Sequence, residues 1–296
     1  MVLDGGLATA LESKGCDLDD ELWSARVLLD SPELIRQAHS EFLAAGADCI
    51  ATVTYQATLP GFRKRGLSDD EGVGLMHSAV ELAGTARDGF WSREANQKGR
   101  LRPLVAGSIG PYGAYLADGS EYSGHYGLDV DELIDFHRQR WNLLAQSQVD
   151  LLACETIPAL PEAEALLGLL DETPDTWAWL SFSCRDEAHL SDGTPFADAV
   201  KLCAGHANLA AVGVNCTPPA LIAPLIRIAK DHTDQPIAVY PNSGERYDAE
   251  SKSWTETKVA WTDQAGQWIE LGARIVGGCC RTGTAEIAEL RCLADA

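Results

Sequence analysis

The sequence predicts an α/β protein, a (β/α)8 barrel formed as a single domain over residues 1–296. Three observations carry that prediction. Eight short apolar runs, rich in branched residues as buried parallel strands are, alternate with helical stretches from one end to the other. Eight strand–helix units in 296 residues match a barrel of roughly 250 residues plus insertions. The rival, an open doubly wound sheet, should carry a Gly-x-Gly-x-x-Gly turn after its first strand, and Asp4-Gly5-Gly6-Leu7-Ala8-Thr9 lacks that spacing.

The first run is Val2-Leu3, with almost nothing ahead of it. A helix over Pro32–Ala45 follows, with Ser31 as N-cap, proline at the first helical position and Gly46 as its stop. Strands are expected at 49–53, 104–106 and 151–154, the last reached through a helix over 129–146. A helix over 161–171 leads to the aromatic run 177–182, and a shorter one over 195–202 leads to 209–214. Helices over 218–230 and 261–271 flank the run Ile237–Tyr240, the last strand is 274–276, and a helix over 284–293 ends the chain. Segments 111–128 and 241–256, rich in Gly, Tyr and Ser, read as loop insertions, and no linker divides the chain.

Composition narrows the partners. A formal charge of −21 argues against nucleic acid and anionic membrane, both of which need clustered Lys and Arg. Acidic residues such as Asp69-Asp70-Glu71 read as a solvated helical surface. No stretch approaches the roughly 20 apolar residues that span a bilayer. Nine cysteines, an odd number, without an apolar leader behind Met1 point to a reducing cytoplasm rather than a disulfide framework. Met1 fits either a natural or a trimmed start.

In a barrel the reactive groups lie just past the strand ends. In chain order these are Asp4, Thr54-Tyr55-Gln56, Ser108, Glu155-Thr156, Ser183, Asn215-Cys216, Asn242-Ser243 and Cys279-Cys280. Three thiols from two strand ends, Cys216, Cys279 and Cys280, suit Zn²⁺ with a fourth position left open, the arrangement of a catalytic ion. The spacing matches no ribbon or finger, and the seven histidines form neither His-x-His nor His-Glu-x-x-His. Cys49, Cys154 and Cys203 lie in apolar runs and read as inert buried thiols. Glu155, behind four apolar residues, needs a partner to offset burial, and an ammonium group would serve. Asp4 also reads as a cap on the Gly5-Gly6 turn, and Tyr55 as a core aromatic with a satisfied hydroxyl.

Taken together these segments resemble the zinc-dependent homocysteine S-methyltransferase family. The matching stretches are Leu3-Asp4-Gly5-Gly6, Thr54-Tyr55-Gln56-Ala57-Thr58, Ala106-Gly107-Ser108-Ile109-Gly110-Pro111, Cys154-Glu155-Thr156-Ile157-Pro158, Gly213-Val214-Asn215-Cys216, Tyr240-Pro241-Asn242-Ser243-Gly244-Glu245 and Gly277-Gly278-Cys279-Cys280-Arg281. The loops Tyr115-Leu116-Ala117-Asp118-Gly119-Ser120-Glu121-Tyr122 and His189-Leu190-Ser191-Asp192-Gly193-Thr194-Pro195 are similar to the branch that uses S-methylmethionine. The chain departs from the family in lacking an N-terminal extension and in having Gln148-Val149 before Asp150.

The resemblance implies transfer of a methyl group from S-methylmethionine to a zinc-bound homocysteine thiolate, giving methionine. It implies Cys216, Cys279 and Cys280 as metal ligands, and Asp4, Tyr55 and Glu155 as catalytic residues. Glu155 holds the homocysteine ammonium, with Asp4, Ser108, Ser183 and Asn215 lining the pocket; Tyr55 and the Tyr240 to Glu245 loop, with Tyr240 and Asn242, face the donor. Residue chemistry agrees: an alkyl thiol near pKa 8.5 is mostly protonated at neutral pH, and Zn²⁺ selects the thiolate. Small-molecule partners and a monomer or small homo-oligomer are expected. Alternatives are S-adenosylmethionine or betaine as donor, a selenium-containing or other thiol acceptor, and a non-catalytic thiol sensor built on Cys279-Cys280.

Overall fold

Where the sequence places its apolar runs, the backbone is extended and buried. The structure, a computed structural model, describes residues 1–18, 23–248, 253–255 and 258–295. The strands are β1 (Cys49–Ala51), β2 (Leu104–Ile109), β3 (Leu151–Ile157), β4 (Ala178–Phe182), β5 (Leu209–Asn215), β6 (Ile237–Tyr240), β7 (Arg246–Asp248), β8 (Ser253–Thr255) and β9 (Ala273–Val276). Seven of them form one parallel sheet in the order β1-β2-β3-β4-β5-β6-β9, and β7 pairs with β8 in a separate antiparallel hairpin. The domain is therefore α/β and barrel-like.

The expected eighth strand is reduced. Val2 and Leu3 make isolated parallel bridges, to Val276 and to Cys49, instead of a ladder. Leu3 N donates to Val276 O at 2.7 Å and Asp4 N to Cys49 O at 3.1 Å, so this short segment touches both edge strands and delivers Asp4 to the sheet end.

Side chains alternate across the sheet, as a period of two demands. Val105, Leu152, Cys154, Leu180, Val212 and Val239 face outward to the helices, in one cluster with Phe42, Trp141, Leu166 and Leu225. Leu3, Ala106, Ala153, Trp179, Ala211, Ala238 and Tyr240 face inward. The same parity carries Glu155 inward beside Ala153 and turns Cys154 into the outer core, where burial pushes its thiol pKa up. Cys49 and Cys203 are likewise buried, the latter pushed up to about 12.

Helices fall close to their expected limits at Pro32–Ala45, Val130–Ala145, Leu160–Glu172, Phe196–Cys203, Ile222–His232, Thr262–Leu271 and Thr284–Asp295. Gly46 ends the first at φ +121°, while Ser31 makes no side-chain capping bond. The longest helix, Asp69–Trp91, was legible only at its acidic start, and its capping box joins Ser68 and Glu71. The expected loop 111–128 contains a short helix, Tyr112–Leu116, and a 3-10 turn, Ser120–Tyr122. The expected loop 241–256 contains the β7–β8 hairpin, and its residues 249–252 and 256 lie outside the described residues. Among the described residues no helix is long and apolar enough to cross a membrane.

Candidate active site

β5 and β9 flank β6 in the sheet, and the segments that follow their ends bring the thiols together. The Sγ atoms of Cys216, Cys279 and Cys280 all lie within 4.8 Å of one another, with Cys216 and Cys280 at 3.4 Å. Three thiolates about 2.3 Å from one tetrahedral ion stand about 3.8 Å apart, so the spacing fits a metal. Donation from the two neighbouring thiols lowers the Cys216 pKa. The Tyr122 hydroxyl lies 3.4 Å from Cys216 Sγ.

The backbone that aims these thiols is under local strain. Thr156, Cys216 and Arg281 adopt φ of +62°, +48° and +64°. Such conformations cost non-glycine residues about 1–3 kcal/mol each and persist only where surroundings enforce them. Asn215 supplies part of that enforcement: its Oδ1 accepts from Thr156 N at 2.6 Å and from Ser181 Oγ at 2.9 Å, while its Nδ2 donates to Thr156 Oγ1 at 2.8 Å. The same Nδ2 reaches Cys279 Sγ at 3.8 Å. Backbone bonds from Cys279 N to Pro241 O (2.8 Å) and from Ser243 N to Cys280 O (3.1 Å) fix the second pair. The glycine before them is needed for space, since a Cβ on Gly278 would stand 2.2 Å from Thr282 Oγ1.

Glu155 ends the inward row of β3. Its Oε1 accepts from Ser108 Oγ at 2.5 Å. Burial raises its pKa to about 7; hydrogen bonds from Ser108 and Tyr240 counter that rise, and the Cys216 charge adds to it. Among the described residues, none of the main influences on it is a cation. Asp4 is buried, accepts from Ala51 N at 2.8 Å, and has its pKa raised by burial and then by Glu155. The two carboxylates therefore sit within electrostatic reach of each other, and Glu155 within reach of Cys216, and no positive charge among the described residues is a main influence on either. Such a site suits a cationic group.

Beneath lies a polar floor. Trp179 Nε1 donates to the Tyr240 hydroxyl at 2.9 Å, and that hydroxyl lies against Ser181 Oγ. Tyr240 is thus already bonded below the site. The Tyr55 backbone carbonyl accepts from Gly110 N (3.1 Å) and Arg140 Nη1 (3.0 Å), and burial followed by the Glu121 charge raises its phenol pKa. Ser183 and Asn242 reach the same end of the sheet, but the protein uses their polar atoms. Ser183 Oγ contacts Ser191 Oγ (2.9 Å) and donates to Glu121 O (3.2 Å); Asn242 Oδ1 accepts from Gly244 N (2.9 Å).

Three groups, Ser181, Glu121 and Tyr122, stand beside this set without having been singled out as site residues in the sequence. Ser181 shares the inward parity of Trp179, a signal that counting residues along β4 would have found. Glu121 precedes Tyr122 in an irregular turn with no periodic pattern to flag it.

A family model described as homocysteine S-methyltransferase matches residues 1–294. Homocysteine S-methyltransferase YbgG of Bacillus subtilis is 53% identical over 292 residues, covering 98% of this chain and 93% of that protein. A homocysteine S-methyltransferase of Escherichia coli is 49% identical over 294 residues, with 98% and 94% covered. The crystal structure of the metallated form of the homocysteine methyltransferase MmuM from Escherichia coli matches with a TM-score of 0.89 and 46% identity, over 99% of this chain and 95% of that one.

Proposed function

We propose that the chain, which belongs to the homocysteine S-methyltransferase family and transfers a methyl group to homocysteine to give methionine, takes that group from S-methylmethionine at a zinc ion held by Cys216, Cys279 and Cys280. The observation that carries the reading is the convergence of three thiols within 4.8 Å at the sheet end that also holds two carboxylates with pKa values raised by burial, Glu155 and Asp4. The donor set favours a thiophilic ion with an open position over a hard cation that prefers oxygen. Bound there, zinc would supply the Lewis acidity that keeps an incoming thiol deprotonated at neutral pH.

The remaining work falls to the chain's own residues. Glu155, oriented by Ser108 and Tyr240, holds the homocysteine ammonium, and Asp4 adds negative potential beside it. Asn215 keeps Cys279 aimed by bracing the strained turn at Thr156. Tyr55 lines the donor side. The homocysteine sulfur attacks the methyl carbon, a new C–S bond forms, and the old one breaks with its electron pair going to the departing sulfur. The leaving group is a neutral thioether, so no general acid is required. Rate then rests on in-line alignment of the two sulfurs and the carbon.

The same reading takes residues 1–296 as one barrel domain, closed through the Val2–Leu3 bridges, acting in the cytoplasm on small molecules as a monomer or small homo-oligomer. The test is a methyl-transfer assay on the zinc-loaded protein with homocysteine and a panel of S-methylmethionine, S-adenosylmethionine, betaine and methyl-folate. The expected result is the highest kcat/KM for S-methylmethionine. A clear advantage for betaine or folate overturns the donor.

A further inference from the structure

A cationic donor needs an anion to meet it, and the carboxylates at this end of the sheet differ in how far they are already engaged. Asp4 accepts from Ala51 N, and Glu155 is held by Ser108 and Tyr240. Glu245, in the loop expected to face the donor, is held by Ser243 Oγ at 2.6 Å and by Arg281 at 3.3 and 3.4 Å. That pairing spends its charge and removes it as a sulfonium partner. Glu121 differs: its Oε2 is buried and has no hydrogen-bond partner among the described residues.

Its position is built. Gly113 packs so closely that a Cβ there would stand 2.3 Å from Glu121 N, and Ser183 Oγ donates to the Glu121 carbonyl at 3.2 Å. The next residue, Tyr122, rests its hydroxyl on Cys216 Sγ at 3.4 Å. The Glu121 charge is near enough to disfavour ionisation of Tyr55, Tyr122 and Cys280. Burial, opposed by a hydrogen bond from its own backbone N–H and reinforced by Cys216 and Asp118, raises its own pKa to about 7. Proteins seldom leave a buried carboxylate oxygen unpartnered unless a ligand completes it.

We propose that Glu121 is the residue that receives the positive charge of the sulfonium donor, and so favours cationic donors over uncharged or anionic ones. The inference rests on S-methylmethionine as donor. Its kinetic signature follows from charge: the sulfonium loses its charge as the methyl leaves, so the contact is strongest in the ground state and weakens toward the transition state. Removing it should therefore act on donor KM and spare kcat.

The experiment compares wild type with Glu121→Gln, both zinc-loaded. Expected are a donor KM raised tenfold or more, a homocysteine KM within about twofold of wild type, unchanged zinc content, and a kcat at saturating donor equal to wild type or higher. Without homocysteine, S-methylmethionine should raise the melting temperature of wild type and raise that of the variant less. The variant alone should melt no lower than wild type, because Oε2 has no partner to lose. An unchanged donor KM, or loss of zinc from the variant, overturns the inference while leaving S-methylmethionine as donor. A wild type that ignores S-methylmethionine and uses an uncharged donor removes that reading and this inference together.

Discussion

Replacing Glu155 by Gln isolates one charge at the heart of the site. Glutamine keeps the size of the side chain and can still accept from Ser108, whose Oγ stands 2.5 Å from Glu155 Oε1. What it loses is a negative charge on which no cation among the described residues is a main influence. A charge-assisted contact to an ammonium is worth about 1.5–3 kcal/mol, which is roughly 10- to 150-fold in binding. Apparent homocysteine KM should rise by that factor. Zinc content should stay near one per chain, because the thiols that would hold the ion lie within 4.8 Å of one another without help from Glu155. Initial rates over a homocysteine series at saturating donor, beside elemental analysis of the same preparations, measure both. A variant that loses zinc with KM unchanged would place Glu155 in the support of the metal and refute an ammonium-binding role.

Cys216→Ser or Cys279→Ser should lose most bound zinc and most activity, whereas Cys203→Ser, buried in the outer core, should be near neutral; elemental analysis and rate measurements check both. Because burial holds the Glu155 pKa near 7, above its ordinary value, the charged form proposed to hold the ammonium is lost as pH falls through 7. Homocysteine KM should therefore rise from pH 8 to pH 6, and Glu155→Gln should flatten that slope. Arg140→Met should destabilise by about 3–5 kcal/mol in urea unfolding, since it strips the Gly110 and Tyr55 carbonyls of a buried donor and leaves the nearby Glu162 charge unbalanced.

The strand ends were legible because barrel geometry makes them so. Once an apolar run is identified, the first polar residues beyond it belong to one rim, and Asp4, Ser108, Glu155, Asn215, Cys216, Cys279 and Cys280 all reach it. Elements without that regularity were hidden. The helix Asp69–Trp91 carries four glycines, at 72, 74, 84 and 89, which blur its pattern; at least one is there for packing, since a Cβ on Gly72 would stand 2.7 Å from the Phe62 ring. Val2–Leu3 read as a strand equal to the others, yet two residues suffice only for bridges. Whether a polar side chain at the rim is free or already engaged depends on partners distant in sequence. Glu245 is paired with Arg281 across 36 positions, and no local pattern announces it.

That distinction explains why the site's charge is lopsided. Away from the rim, the buried Glu162 has a positive neighbour: its Oε1 accepts from Tyr112 N and lies 2.8 Å from His137 Nε2, and the Arg140 charge acts on the same carboxylate, although its Oε2 has no partner among the described residues. At the thiol rim, Asp4, Glu155 and Glu121 all have raised pKa values, with burial the largest cause in each. A site that holds three carboxylates and three thiols near one another is stable only while protons, metal or cationic ligands offset their repulsion. With the proposed substrates, a zinc ion, the homocysteine ammonium and the donor sulfonium would each supply positive charge. The reaction then joins a thiolate to a sulfonium and leaves neutral thioethers, a charge-annihilating step that water, which solvates the separated ions best, would slow. Burial at the strand ends therefore serves both ends of the cycle: it strengthens capture of cationic substrates and favours the step that discharges them.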